Sequence, residues 1–247
     1  MQNLFKRITS NAPKGGAYLR YALGEIFLVM VGILLAVQVN NLNEHRKDRN
    51  EEQLILKGLL KEFLANKTEL ESTMSINETI VEGLQVMYRQ TGNKWDGSLT
   101  RQMSDSLSLN MTSYVVPAIG TAYLDDILTT GKILIIQDKK LQYELTKWPK
   151  ELDDHAIETE DGAAHFIRTQ SAPFMDKNYH MNIGRVSQVF HEPSGFEFDH
   201  KTIYQIPEFE NLVLSRASFA LFANEENQIL LDLTHTIIAL IQNKLNN

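Results

Sequence analysis

Residues 153–165 hold the densest set of side chains able to do chemistry: Asp153-Asp154-His155, Glu158, Glu160-Asp161 and His165. On a helix, His155 and Glu158 stand at i,i+3 and Asp161 and His165 at i,i+4, so each pair shares a face. Carboxylates and imidazoles facing inward from bundle helices can hold a metal. The dinuclear version needs two Glu-x-x-His motifs and two further glutamates, and this stretch has no Glu-x-x-His. The expectation is therefore a solvated acidic face, with His155 hydrogen-bonded at the edge of a core. His180, His191 and His200 fall in an irregular region, where scattered histidines seldom act as ligands. Ser194 sits in a Pro193-Ser194-Gly195 turn with nothing to mark it as a nucleophile. No phosphate loop, nucleophile elbow or zinc-protease signature is present. The reading is that the chain is not an enzyme and has no catalytic, cofactor-binding or metal residues. Without cysteine it has no disulfide, thiol chemistry or thiolate metal site.

A different kind of site lies in the one stretch suited to a lipid bilayer, Tyr21 to Val39. A hydrocarbon core of about 30 Å requires roughly 20 mostly apolar helical residues. Between Ala22 and Val39 only Glu25 and Gln38 are strongly polar, and both lie near an end, where a side chain reaches the interface. At about 100° per residue, Glu25, Gly32, Ala36 and Asn40 fall on one side. Gly32 and Ala36 form a small-xxx-small pair that lets two helix backbones approach. Glu25 is either a functional group on that face or a side chain reaching the headgroups. A cleaved signal peptide is the main rival to an anchor, but no small-x-small cleavage site follows. The segment is read as a transmembrane helix over 21–40, a signal anchor that stays uncleaved.

The first 20 residues carry four basic and no acidic side chains, and of the net charge of −7 this leaves −11 to the rest. Positive flanks stay in the cytoplasm, whereas long domains cross largely regardless of charge. The expected layout is a cytoplasmic tail over 1–20, the membrane helix, and an extracytoplasmic helical domain over 41–247. An acidic body argues against nucleic acid as a partner.

Gly24-Glu25-Ile26, followed by Gly32-Ile33-Leu34-Leu35-Ala36-Val37-Gln38-Val39-Asn40-Asn41-Leu42-Asn43-Glu44, resembles the start of a domain-of-unknown-function family of Gram-negative membrane proteins. Its members usually read G-E-I/L, an apolar stretch, then G-I-L-I-A-L-Q-I-N-N-W-N-E. Leu128 to Leu145, with Gly131-Lys132 and Asp138-Lys139-Lys140-Leu141, is similar to a middle motif, and Pro207 to Leu212 to a late one. Leu42 stands where the family usually has Trp, an aromatic interface anchor. The resemblance implies a single-pass protein with a helical extracytoplasmic part and no assigned activity. In such a cell the bulk lies in the periplasm and the anchor in the inner membrane.

Positioning any of these groups falls to helices. Leu56, Leu59, Leu60, Phe63, Leu70, Met74, Val81, Leu84 and Tyr88 recur mostly at steps of three and four. One helix from the membrane to about Gln90 is the bolder reading; a break at Asn40 to Asn43 is the alternative. A short helix over 99–109, an extended linker over 112–120 and a helix over 121–130 stopping at Gly131 follow. Lys132 to Gln137 reads as an apolar connector, and Asp138 as the N-cap of a helix over 139–170. Pro149 is expected to kink or split that helix. Short extended pieces at SQVF (187–190) or FEFDH (196–200) would fit the irregular region. The last helix starts at Pro207, with Glu208 and Glu210 in its first turn. Its expected stripe is Phe219, Phe222, Ile229, Leu233, Ile237, Leu240 and Leu245.

These elements predict an all-α fold: an N-terminal transmembrane helix continuing into, or followed by, an antiparallel helical bundle with long irregular loops. Function resolves into two classes. The first is a structural or accessory interaction subunit of an envelope complex, favoured by the short tail and the small-residue membrane face. The alternative is a sensor-like binding module for a periplasmic ligand. Expected partners are the lipid bilayer and either a second copy or an envelope protein. The Leu56 to Tyr88 stripe fits an inward-facing core or a coiled coil between chains equally well.

Overall fold

The computed structural model describes residues 15–157, 159, 162–180 and 194–246, with side chains from residue 23 onward. Of the cytoplasmic tail expected over 1–20, residues 1–14 lie outside the described residues and residues 15–20 belong to the first helix. The chain divides into two compact units, Met1–Leu54 and Ile55–Asn247. All regular structure among the described residues is helical.

The described part of the first unit, residues 15–54, is helical throughout. Helix α1 is Gly15–Tyr88, and its helical hydrogen bonding is unbroken through Asn40 to Asn43, so the alternative of a break there is not realised. Apolar side chains from Leu23 to Leu42 stand open, Leu28 at 73% and Val39 at 66% exposure. This is a helix long and apolar enough to cross a membrane by length and composition, and none of its most apolar window is buried. Beyond it the helix is charged, with Asn40 Nδ2 donating to Glu44 at 3.0 Å and Arg49 paired with Glu52.

The second unit begins where α1 becomes amphipathic. It continues through α2 (Arg101–Thr112), α3 (Ala122–Thr129), α4 (Lys139–Ala156), the five-residue α5 (Gly162–Phe166), α6 (Ala172–Asn178) and α7 (Pro207–Leu245). Its core has two apolar halves. One gathers Leu56, Leu59 and Phe63 of α1 with Leu141, Leu145 and Trp148 of α4 and Leu230 and Ile237 of α7. Phe63 meets the Trp148 ring edge-on, centroids 5.0 Å apart. The other gathers Leu84 and Met87 of α1 with Met111, Phe174, Tyr204 and Phe209. The α1 stripe is thus folded inward, and the coiled-coil use of it between chains is not what the structure adopts. Gly58 lies where a Cβ would come within 2.2 Å of the Tyr123 ring, so α1 can carry no larger residue there without displacing that ring.

Local sequence accounts for most boundaries. Gly131, at φ +74°, takes the left-handed conformation that closes α3, and Lys132–Ile135 forms a 3-10 turn. Asp138 caps α4 by accepting from the N–H groups of Lys140 and Leu141 at 2.9 and 3.1 Å. The N-terminus of α3 is capped from a distance: Glu62 of α1 accepts from Tyr123 N–H at 2.8 Å and Leu124 N–H at 3.0 Å.

Three expectations are corrected. Pro149 does not split its helix; α4 runs through it to Ala156. The missing N–H costs one hydrogen bond, while Trp148 beside it is wholly buried and holds the helix in place. Residues 157 and 159 are π-helical, and from Gly162 the chain is helical to Asn178, with a π-helical turn over Ile167–Ser171. Residues 196–199 are not helical and Asp199 is extended, while His200 opens the 3-10 turn His200–Gln205; SQVF lies outside the described residues. Finally, the buried face of α7 follows the expected stripe only in part: Ile237 is buried and Phe219, Leu233, Leu240 and Leu245 pack against the core. Phe222 and Ile229 are exposed, while Arg216, Asn227 and Thr234 take buried positions.

Candidate functional site

The residues singled out on the membrane segment belong to the first unit. Glu25, Gly32, Ala36 and Asn40 are exposed. A Cβ added to Gly32 would meet nothing within 4 Å.

The acidic stretch divides. Asp153, Asp154 and His165 face outward, and Lys150 pairs with Asp154. Glu158, Glu160 and Asp161 lie outside the described residues. Among the described residues no three His, Asp or Glu side chains gather as a metal site would need. His155 alone turns inward, 6% exposed, its Nε2 2.9 Å from Asn227 Oδ1. His180 and His200 do not share a site. His180 Nε2 lies 2.6 Å from Ser194 Oγ, and His200 Nε2 donates to the Leu99 carbonyl at 2.9 Å. His191 lies outside the described residues.

His155 leads to a polar layer between the two apolar halves of the core. On α1, Asn77 is 2% exposed and its Nδ2 donates to Asn224 Oδ1 at 3.0 Å; Asn224 Nδ2 donates in turn to the Met74 carbonyl at 3.1 Å. On α7, Arg216 and Asn227 are eleven residues apart, about three helical turns, and so face the same way. Arg216 donates through Nε to the Asn110 carbonyl at 3.1 Å and through Nη2 to the Ser113 carbonyl at 2.9 Å, at the C-terminal end of α2. Thr159 Oγ1 donates to the His155 carbonyl at 2.7 Å.

This layer opens into two adjoining clefts under residues 113–121. The inner one, with a cavity volume of about 10 Å³, is bordered by Asn77, His155, Arg216, Asn227 and Tyr114. That is room for one water-sized atom. The outer one, about 190 Å³, has walls of Ile119, Leu152 and Ala156. Val116, Pro117, His155 and Thr159 line both. The roof is tied at both ends, by Arg216 at Ser113 and by Asn66 at Gly120. Asn66 Nδ2 donates to the Gly120 carbonyl and Gly120 N–H donates to Asn66 Oδ1, each at 2.8 Å.

Arg216 is the unusual group. It is 2% exposed and makes no ion pair among the described residues. Burial pulls its pKa down to about 10, so it remains a cation at neutral pH. A buried charge is ordinarily neutralised by a partner. Here only two carbonyls at a helix end oppose it, a partial negative charge of about half a unit.

Sequence reasoning missed this layer, although α1 contained the signal. Phe63, Asn66, Leu70, Thr73, Asn77, Ile80, Leu84 and Met87 step by three and four without a gap, and all are buried. The polar members mark where the interior turns polar. Comparison of the chain with protein-family models, with curated proteins and with solved structures found no match.

Proposed function

We propose that this chain is a single-pass inner-membrane protein, N-terminus cytoplasmic and bulk periplasmic, whose helical domain over 41–247 is a sensor-like binding module for a periplasmic ligand. The observation that carries the reading is the polar layer inside the helical body: Asn77, His155, Arg216 and Asn227 converge on a cleft roofed by residues 113–121. A core that only had to be stable would gain more from apolar packing there, since buried polar groups stabilise little even when satisfied. The exposed apolar helix from Leu23 and the four basic residues before it support the anchor and its orientation. The module binds and does not catalyse in this reading, and a signal would leave it through a membrane partner.

The test is native mass spectrometry of the full chain, extracted from its own membrane in mild detergent. Wild type should carry a bound small molecule that Val116→Trp, which fills the cleft from its roof, does not carry. Identical spectra with no adduct in either protein would refute the binding reading.

A second reading, an accessory subunit docked on a larger envelope complex or on a second copy, has its own support. Leu214, Leu221, Phe222 and Ile229 form an exposed apolar row on α7, Leu221 seven residues after Leu214 and Ile229 seven after Phe222. Crosslinking in native membranes distinguishes the two, because this reading requires a stable protein adduct that survives Val116→Trp.

A further inference from the structure

We infer that the cleft takes a small organic monocarboxylate, its charged end directed at Arg216 and its apolar body held between Pro117, Ile119, Leu152 and Ala156. This rests on the reading of the domain as a binding module and names the class of its ligand.

Charge is the first argument. Arg216 is a full positive charge in the interior, opposed by two backbone carbonyls at the end of α2. The helix end supplies about half a negative charge, so the inner cleft keeps a positive remainder. No carboxylate of the chain lines either cleft among the described residues. An anion entering from solvent would add to the neutralisation that the described partners of Arg216 supply in part. Burial favours this in a second way, because a charge pair gains strength as water is excluded.

Shape is the second argument. The inner cleft, at about 10 Å³, admits one oxygen-sized atom. A carboxylate can present a single oxygen to such a slot while its organic body fills the outer cleft, which inorganic phosphate or sulfate would leave empty. The outer cleft, at about 190 Å³, has mainly aliphatic walls, suited to a short alkyl or single-ring body. His155 and Thr159 border both clefts and stand where the carboxylate would pass. Small-molecule sites commonly combine such apolar walls with a few convergent polar groups.

The guanidinium also holds the end of α2, so a purely structural role for Arg216 must be separated from ligand binding. The full chain in mild detergent is melted, with Trp fluorescence as the readout, in the presence of butyrate, benzoate, butyramide, benzamide, chloride and inorganic phosphate. The carboxylates should raise the midpoint by about 5 °C at a hundredfold excess over Kd, and the two amides should leave it unchanged. Val116→Trp, at a roof residue already 38% exposed, should fold and lose the shift. Arg216→Lys, which keeps the charge but not the two-carbonyl grip, should weaken benzoate at least tenfold. Amides as effective as their acids would overturn the anionic class while leaving the binding reading intact. Chloride alone matching benzoate would overturn the organic class. Undiminished shifts in Val116→Trp would place the site elsewhere and overturn the proposal. No shift with any compound would also overturn it; whether the cleft binds a neutral molecule is then decided by the native mass spectrum.

Discussion

Replacing Asn66 by alanine tests whether the roof of the cleft is held from α1. Asn66 is 2% exposed and closes a two-bond ring with Gly120 across 54 residues of sequence, both bonds at 2.8 Å. Alanine removes both, at about 1 kcal/mol each. Two effects reduce the loss. Gly120 is exposed, so its freed N–H and carbonyl turn to water and do not suffer full desolvation. Alanine is also the better helix former, by about 0.6 kcal/mol. The net expectation is a destabilisation of about 1 kcal/mol, or a midpoint lowered by roughly 2–4 °C for a body of this size. The assay is thermal or urea unfolding of the full chain in mild detergent. Trp148 is a natural reporter, because its partner Phe63 lies one turn from Asn66. Limited proteolysis should show faster cutting within 114–119, since the roof would be tied at Ser113 alone. Thr68→Ala is the control: its exposed hydroxyl bonds only to the Leu64 carbonyl, and the change should stay within about 0.5 kcal/mol. If Asn66→Ala matches the control in stability and cutting, the clamp contributes nothing and the reasoning fails.

The remaining predictions concern acid, self-association and topology. The Asp138 carboxyl is held below its ordinary value of 3.8, chiefly by the Leu141 N–H and also by Lys244. A depressed native pKa stabilises above the unfolded value and loses that contribution as pH falls through the native one. Asp138→Asn, which keeps a capping oxygen, should therefore flatten the acid limb of a stability–pH curve below about pH 4; an unchanged limb would dismiss the cap as its source. Gly32→Ile should lower the oligomer signal in a membrane two-hybrid assay if the face of Glu25, Gly32, Ala36 and Asn40 drives pairing, while Leu28→Ile should not; equal signals would remove that face as the cause. An alkaline phosphatase fused to the C-terminus should be active and a cytosolic fluorescent protein there dark, the reverse pattern inverting the proposed orientation.

Composition and periodicity were enough for the large features. An apolar run near the N-terminus announces its helix because bilayer length and helical rise set one scale. Capping is equally local: Asp138 and Gly131 act through their own backbone neighbours, so they are legible without any partner. The split, one of two outcomes expected at Pro149, does not occur, for the opposite reason. The loss of one backbone hydrogen bond is a local cost, and whether a helix tolerates it depends on packing of the neighbouring Trp148, which is a tertiary quantity.

The cleft belongs wholly to the tertiary level. Asn66 and Asn77 read in isolation as polar residues with no assigned task, and Arg216 as an ordinary surface cation. Their burial follows only when α1, α4 and α7 pack and the segment over 113–121 crosses them. A stripe of apolar residues shows that a helix has an inner face, and the sequence alone determined that much for α1. It does not fix the angle at which α7 presents its own, because α7 carries apolar residues on more than one side, from Phe209 and Leu212 to Phe222 and Ile229. Rotation of one helix by a fraction of a turn decides whether Arg216 meets water or the interior, and that rotation is set by the partners it packs against.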